Sequence, residues 1–199
     1  MKNLHKKFLL TASILILGLT LTKSQESTEL RDKFVIVLDI QKHFTEKNLT
    51  DSTAQQVIRA INLVVERANS EKVLYVKSIL STLNVSFKGF SVDTLPDLEF
   101  DERLKLVNEN IVQKNKANAF KMEEIAAIVA NCGTTEIVVI GLMAEHCVKE
   151  TVLGGKKLGY NIFVIPEAIA GKTNESKKDV LEELAKEGAS FLSVESIIN

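Results

Sequence analysis

A chain of 199 residues accommodates one globular domain with a short extension. Its 45% hydrophobic and 26% charged residues give the balance of a protein that buries a full apolar core, which excludes disorder as the dominant state. The formal net charge of −1 offers no basic field to a phosphate backbone, so nucleic acid is not an expected partner.

The beginning of the chain stands apart from the rest. Lys2, Lys6 and Lys7 precede an uncharged run from Phe8 to Leu21, and Thr22, Lys23 and Ser24 follow it. A basic start, a short apolar stretch and small polar residues read as a secretory signal peptide over residues 1–24. Spanning a bilayer as a helix takes about 20 apolar residues, more than this run offers, so an uncleaved anchor is the lesser expectation. The mature chain is expected to be exported, periplasmic or secreted, without stable membrane insertion.

Beyond it, FVIVL at Phe34 to Leu38 is continuous and mostly β-branched, the pattern of a strand covered on both faces. From Ser52 to Asn69 the residues Val57, Ile61, Val64, Val65 and Ala68 recur at helical spacing, with Ser52 as the expected cap. VLYV at Val73 to Val76 predicts a second strand. The stretch from Ser78 to Asp101 shows no clear period and reads as a long functional loop. Ile111 and Val112 predict a short strand leading into Lys114, and Phe120, Ile125, Ile128 and Val129 mark a helix stopped at Gly133. The strand Ile137 to Ile140 leads through Gly141 into a helix from about His146 to Leu158, where Gly154 and Gly155 permit close packing against the sheet. IFVI at Ile162 to Ile165 is a fifth strand, Val180, Leu181 and Leu184 mark another helix, and a last strand lies near Phe191. The alternation predicts an α/β fold: a doubly wound, mainly parallel six-stranded sheet flanked by helices in three layers, Rossmann-like, with ligands bound beyond the carboxyl ends of the strands.

Those ends carry Asp39 after the first strand, Lys114 after the third and Cys147 shortly after the fourth. Taken singly, the aspartate reads as a turn residue, the lysine as solvated and the cysteine as a small core residue. Only their joint placement is informative. An acid, a cation and a thiol together make a nucleophile, a base and a charge that supports the ionised sulfur. A helix start beside Cys147 and a nearby Lys114 are both expected to lower the thiol pKa. The other cysteine, Cys132, lies beyond the opposite end of the intervening strand, farther than the roughly 7 Å between Cα atoms that a disulfide spans, so two free thiols are expected.

Three motifs give the arrangement a context. Asp39-Ile40-Gln41-Lys42-His43-Phe44 resembles the D-x-Q-x-x-F opening of isochorismatase-like cysteine hydrolases. Lys114 followed by Ala117 and Phe120 is similar to their lysine element, and Gly141 to Cys147 with Val148 and Thr151 to their cysteine element. The resemblance covers about Phe34 to Ile198 and implies a hydrolase domain over residues 33–199. It resembles the amidase and nicotinamidase branch.

That resemblance implies that Asp39 deprotonates Cys147, whose thiolate attacks the carbonyl of a small amide or carbamoyl compound to form a thioester. Lys114 holds the charges, and the N–H groups of Ala144 and Cys147 form the oxyanion hole. The cis peptide that often precedes the hole in this family would join Met143 to Ala144. Phe44 and Phe120 are expected to bind substrate, although core packing fits them equally. Nicotinamidases build a metal site from an aspartate and histidines in the loop after the second strand; that loop has no histidine here, so no metal and no cofactor are expected. His146 reads as a surface histidine. The resemblance implies a homo-oligomer and a small-molecule substrate. The competing readings are an idle, binding member of the family, an isochorismatase-type vinyl-ether hydrolase and a thiol redox sensor.

Overall fold

The computed structural model describes residues 30–87, 89–94 and 98–198; the expected signal segment, residues 1–24, lies outside the described residues. Six strands form one parallel sheet: β1 (Phe34–Leu38), β2 (Val73–Ser78), β5 (Ile111–Lys114), β6 (Glu136–Gly141), β7 (Asn161–Ile169) and β8 (Ser190–Phe191). Their order across the sheet is β5-β2-β1-β6-β7-β8. The α/β, doubly wound architecture read from the sequence is the one observed.

The continuous apolar strands are explained by layers on both sides. Phe34, Ile36 and Leu38 of β1 point into one core with residues of α3 (Glu123–Ala130), α4 (Lys149–Lys157) and α5 (Asn174–Lys186). Val35 and Val37 point into a second core with Val57, Ile58, Ile61, Val64 and Val65 of α2 (Asp51–Arg67). The period of two in a strand sends neighbouring side chains to opposite faces, so both faces of β1 must be apolar. The cap of α2 is Thr50, whose side chain accepts from the Thr53 N–H, rather than Ser52.

Local deviations from the sequence reading occur where the pattern is short. Seven residues, Lys42–Asn48, form α1, too few to show an apolar period. The expected loop from Ser78 to Asp101 contains an antiparallel hairpin of β3 (Ser81–Ser86) and β4 (Gly89–Thr94). The segment before α4 is a π-helical turn, Ala144–Val148, so Cys147 sits in a wide turn ahead of the α-helix. Gly155 packs against the sheet as expected, since a Cβ there would lie 2.6 Å from Ile162 Cδ1, whereas one on Gly154 would lie 2.2 Å from Asn118 Nδ2. Among the described residues no helix is long and apolar enough to cross a membrane, and Cys132 and Cys147 are both unbridged.

Candidate active site

Four neighbouring strands each deliver one polar side chain to the carboxyl edge of the sheet. In sheet order they are Lys114 from β5, Ser78 from β2, Asp39 just after β1 and Cys147 in the turn after β6. Ser78 and Lys114 are register partners on adjacent strands. Asp39 leaves β1 in the left-handed region, φ 60°, and its N–H donates to Val76 O at 2.9 Å. Aspartate is one of the few residues that adopt this conformation readily, and it turns the carboxylate back over the strand ends. Gly141 ends β6 at φ 121°, where a Cβ would lie 2.1 Å from Leu38 O; only glycine lets the chain pass this close to β1 on its way to Cys147.

The Lys114 ammonium is the hub. It is 1% exposed and donates to Asp39 Oδ2 at 2.8 Å, to Ser78 Oγ at 2.7 Å and to Cys147 Sγ at 3.1 Å. Three donors meet three acceptors, so the buried cation is fully partnered and its charge is balanced by Asp39. Ser78 Oγ in turn donates to Asp39 Oδ1 at 2.9 Å. Gln41 fixes the Ser78 backbone from both sides: its Nε2 donates to Ser78 O at 3.0 Å, and its Oε1 accepts from the Ser78 N–H at 2.7 Å.

The thiol differs from the expectation. Burial, and next the Asp39 carboxylate, push Cys147 up to about 11, against a smaller lowering by Lys114. Low dielectric disfavours the anionic sulfur more than one shared cation favours it. The resting sulfur is therefore protonated at neutral pH, and the thiolate requires a proton acceptor next to it.

The four residues border a cavity of about 420 Å³. Phe44, Ile79, Leu80, Leu142 and Met143 supply apolar wall, and Asn48, Asn115, Lys116, His146 and Lys172 supply polar wall. Three sequence expectations are corrected here. Phe120 is in the core, stacked on Tyr160 at 5.5 Å between ring centroids and packed under Gly155, not in the cavity wall. The Ala144 N–H donates to Ala170 O at 2.9 Å, so it is spent inside the fold and does not face the cavity. The cis peptide joins Leu142 to Met143, one residue earlier than expected. Met143 borders the cavity, and its N–H has no backbone acceptor among the described residues.

Ser78 is the site residue that the sequence reading missed. Reading β2 as Val73 to Val76 ended it two residues short, and the strand-end rule that found Asp39 and Lys114 would otherwise have found Ser78. Thr151, part of the cysteine motif, ties the lysine segment to α4: its Oγ1 accepts from the Ala119 N–H at 3.1 Å and donates to Ala117 O at 3.4 Å. The donor set does not suit a metal ion. The end of β2 and the segment after it offer Ser78, Ile79 and Leu80 to the cavity, while Asp39 and Cys147 are engaged by the Lys114 cation.

Comparison with known proteins finds likenesses over most of the chain. The family model described as Isochorismatase domain matches residues 33–196. The uncharacterized isochorismatase family protein YrdC of Bacillus subtilis is 24% identical over 186 residues, covering 84% of this chain and 95% of that protein. The secreted isochorismatase effector Isc1 of Verticillium dahliae is 24% identical over 145 residues, covering 71% of this chain and 74% of that protein. Among solved structures, the YcaC gene product of Escherichia coli, described as an octameric hydrolase of unknown specificity, superposes with a TM-score of 0.65 at 15% identity over 85% of this chain and 78% of that one. The pyrazinamidase of Pyrococcus horikoshii in complex with zinc does so with a TM-score of 0.65 at 21% identity over 81% of this chain and 99% of that one.

Proposed function

Since the chain belongs to the isochorismatase family of hydrolases, we propose that it is a metal-independent cysteine hydrolase cleaving a C–N bond of a small amide or carbamoyl compound. The observation that carries this reading is the single Lys114 ammonium bonded at once to the Asp39 carboxylate and the Cys147 sulfur at the edge of an apolar-walled cavity. Asp39 takes the thiol proton, and negative charge moves from its carboxylate to the sulfur while Lys114 stays bonded to both. The thiolate adds to the substrate carbonyl carbon. The Cys147 N–H stabilises the resulting oxyanion, and Met143 takes the place expected of Ala144, because Met143 borders the cavity and its N–H has no backbone acceptor among the described residues. Collapse expels the amine, which receives the proton from Asp39, and leaves a thioester on Cys147. Water then gives Asp39 a proton as it attacks the thioester, and the acid product leaves as the thiol is reformed.

A protonated resting thiol fits this scheme, because a permanent thiolate would leave Asp39 no proton to take. The domain is taken as residues 33–199. Export is supported by the basic and apolar start of the sequence and by the secreted relative, and self-association by the octameric relative.

The test is ammonia or amine release from a panel of small amides and carbamoyl compounds by wild type, Cys147→Ala and Asp39→Asn. Turnover by wild type and a loss of at least about a thousandfold in both variants is expected. Wild-type turnover that survives Cys147→Ala would overturn the thioester route. A folded wild type inert toward every compound would favour the binding-protein reading.

A further inference from the structure

We propose that Ser78 is a positioning residue of this site, its hydroxyl holding the Lys114 ammonium between the Asp39 carboxylate and the Cys147 sulfur. The inference rests on the hydrolase reading above but goes beyond it, since neither the sequence motifs nor the resemblance assigns Ser78 a role.

Topology makes the position unavoidable. Strand β2 lies between β5 and β1, so any contact from Lys114 to Asp39 crosses the last residue of β2. That residue is Ser78, opposite Lys114 in register. A hydroxyl is the smallest side chain that accepts and donates together, and here it does both: it accepts from Lys114 Nζ at 2.7 Å and donates to Asp39 Oδ1 at 2.9 Å. Lys114 uses the other oxygen, Oδ2, so the two residues hold the carboxylate from both sides. The Gln41 clamp on both backbone groups of Ser78 removes the freedom that would let the hydroxyl drift.

The chemistry explains why a neutral third partner matters. As the proton passes from Cys147 to Asp39, the negative charge leaves one of Lys114's partners and appears on the other. A lysine held by those two alone would be drawn toward whichever was charged. Ser78 is unchanged by the transfer and keeps the ammonium equidistant in function, available to the thiolate when it forms. The charged and titratable side chains bordering the same cavity are Asp39, Lys114, Lys116, His146, Cys147 and Lys172; of these, Asp39 and Lys114 bond Ser78.

The experiment measures the rate of Cys147 alkylation by iodoacetamide between pH 7 and 10 in the substrate-free full chain, alongside turnover and thermal stability. Alkylation reports the support Lys114 gives the thiolate. Ser78→Ala is expected to slow alkylation about tenfold and displace its pH profile to higher pH, with Ser78→Thr, which keeps the hydroxyl, close to wild type. An alkylation rate in a folded Ser78→Ala protein equal to or faster than wild type would overturn the proposal, as would failure of Ser78→Thr to restore the profile while it folds normally. Because this readout needs no substrate, the hydrolase reading can fail on every amide while the positioning role of Ser78 stands, and the reverse outcome is equally visible.

Discussion

At Cys147 two neighbours act in opposite directions, and their sizes decide the chemistry. Burial and the Asp39 carboxylate outweigh Lys114 and hold the thiol near pH 11. Alkylation of the wild type by a small electrophile should therefore keep accelerating well above pH 9 rather than level off there. Asp39→Asn removes one of the two raising causes and leaves the lowering one, so its alkylation profile should move to lower pH. The same variant should lose turnover, because the group that takes the proton is gone. A more easily alkylated but inert protein is thus the signature of Asp39 as base; an unchanged alkylation profile would show that its charge does not reach the sulfur. The sequence located these residues but gave the wrong sign for the thiol, since it showed the cation and the helix start but not the desolvation.

The elements that carry the site are held by contacts distant in the chain. Helix α1 presents Phe44 to the cavity, and it is anchored where Thr45 Oγ1 donates to Asp101 Oδ2 at 2.6 Å. Asp101 is buried, its N–H donates to Ile40 O at 2.9 Å, and Arg103 donates to both of its carboxylate oxygens at 2.8 and 2.7 Å. The Arg103 guanidinium holds this carboxyl down at about 2, from an ordinary value of 3.8. A carboxylate depressed on folding adds stability that is complete above about pH 4 and disappears as the pH falls through about 2, where the folded form takes up its proton as well. Asp101→Asn should cost about 2–3 kcal/mol at neutral pH, from hydrogen bonds to a charged group, and flatten the acid limb of stability against pH. Urea unfolding at pH 7 and pH 3 measures both. The central strands β1, β2 and β6 were legible in the sequence because each is a continuous apolar run buried on two faces. Helix α1 was not, because seven residues held by one threonine and one distant aspartate carry no period.

For the molecule as a whole, the parallel sheet with helices on both faces places every site residue at one edge, and composition and alternation foretold this arrangement. Exposed apolar side chains concentrate on the hairpin that follows the site, with Phe87, Phe90 and Val92 all on the surface. Light scattering of the purified protein is expected to give a mass of two or more chains, as the proposed self-association requires. A monomer at micromolar concentration would remove the self-association carried over from the octameric relative.

By itself the sequence determined the six strands of the parallel sheet, the long helix α2, the class of fold and three of the four polar groups at the sheet edge. Those features are local: they follow from the period of apolar residues and from what stands just past each strand. Only the tertiary structure decided that β2 lies between β5 and β1, which puts Ser78 between the lysine and the aspartate. It alone showed that Ala144 gives its N–H to Ala170, that Phe120 is spent on the core and that burial governs the thiol. Strand order, hydrogen-bond partners and desolvation depend on residues far apart in the chain, and no local pattern records them.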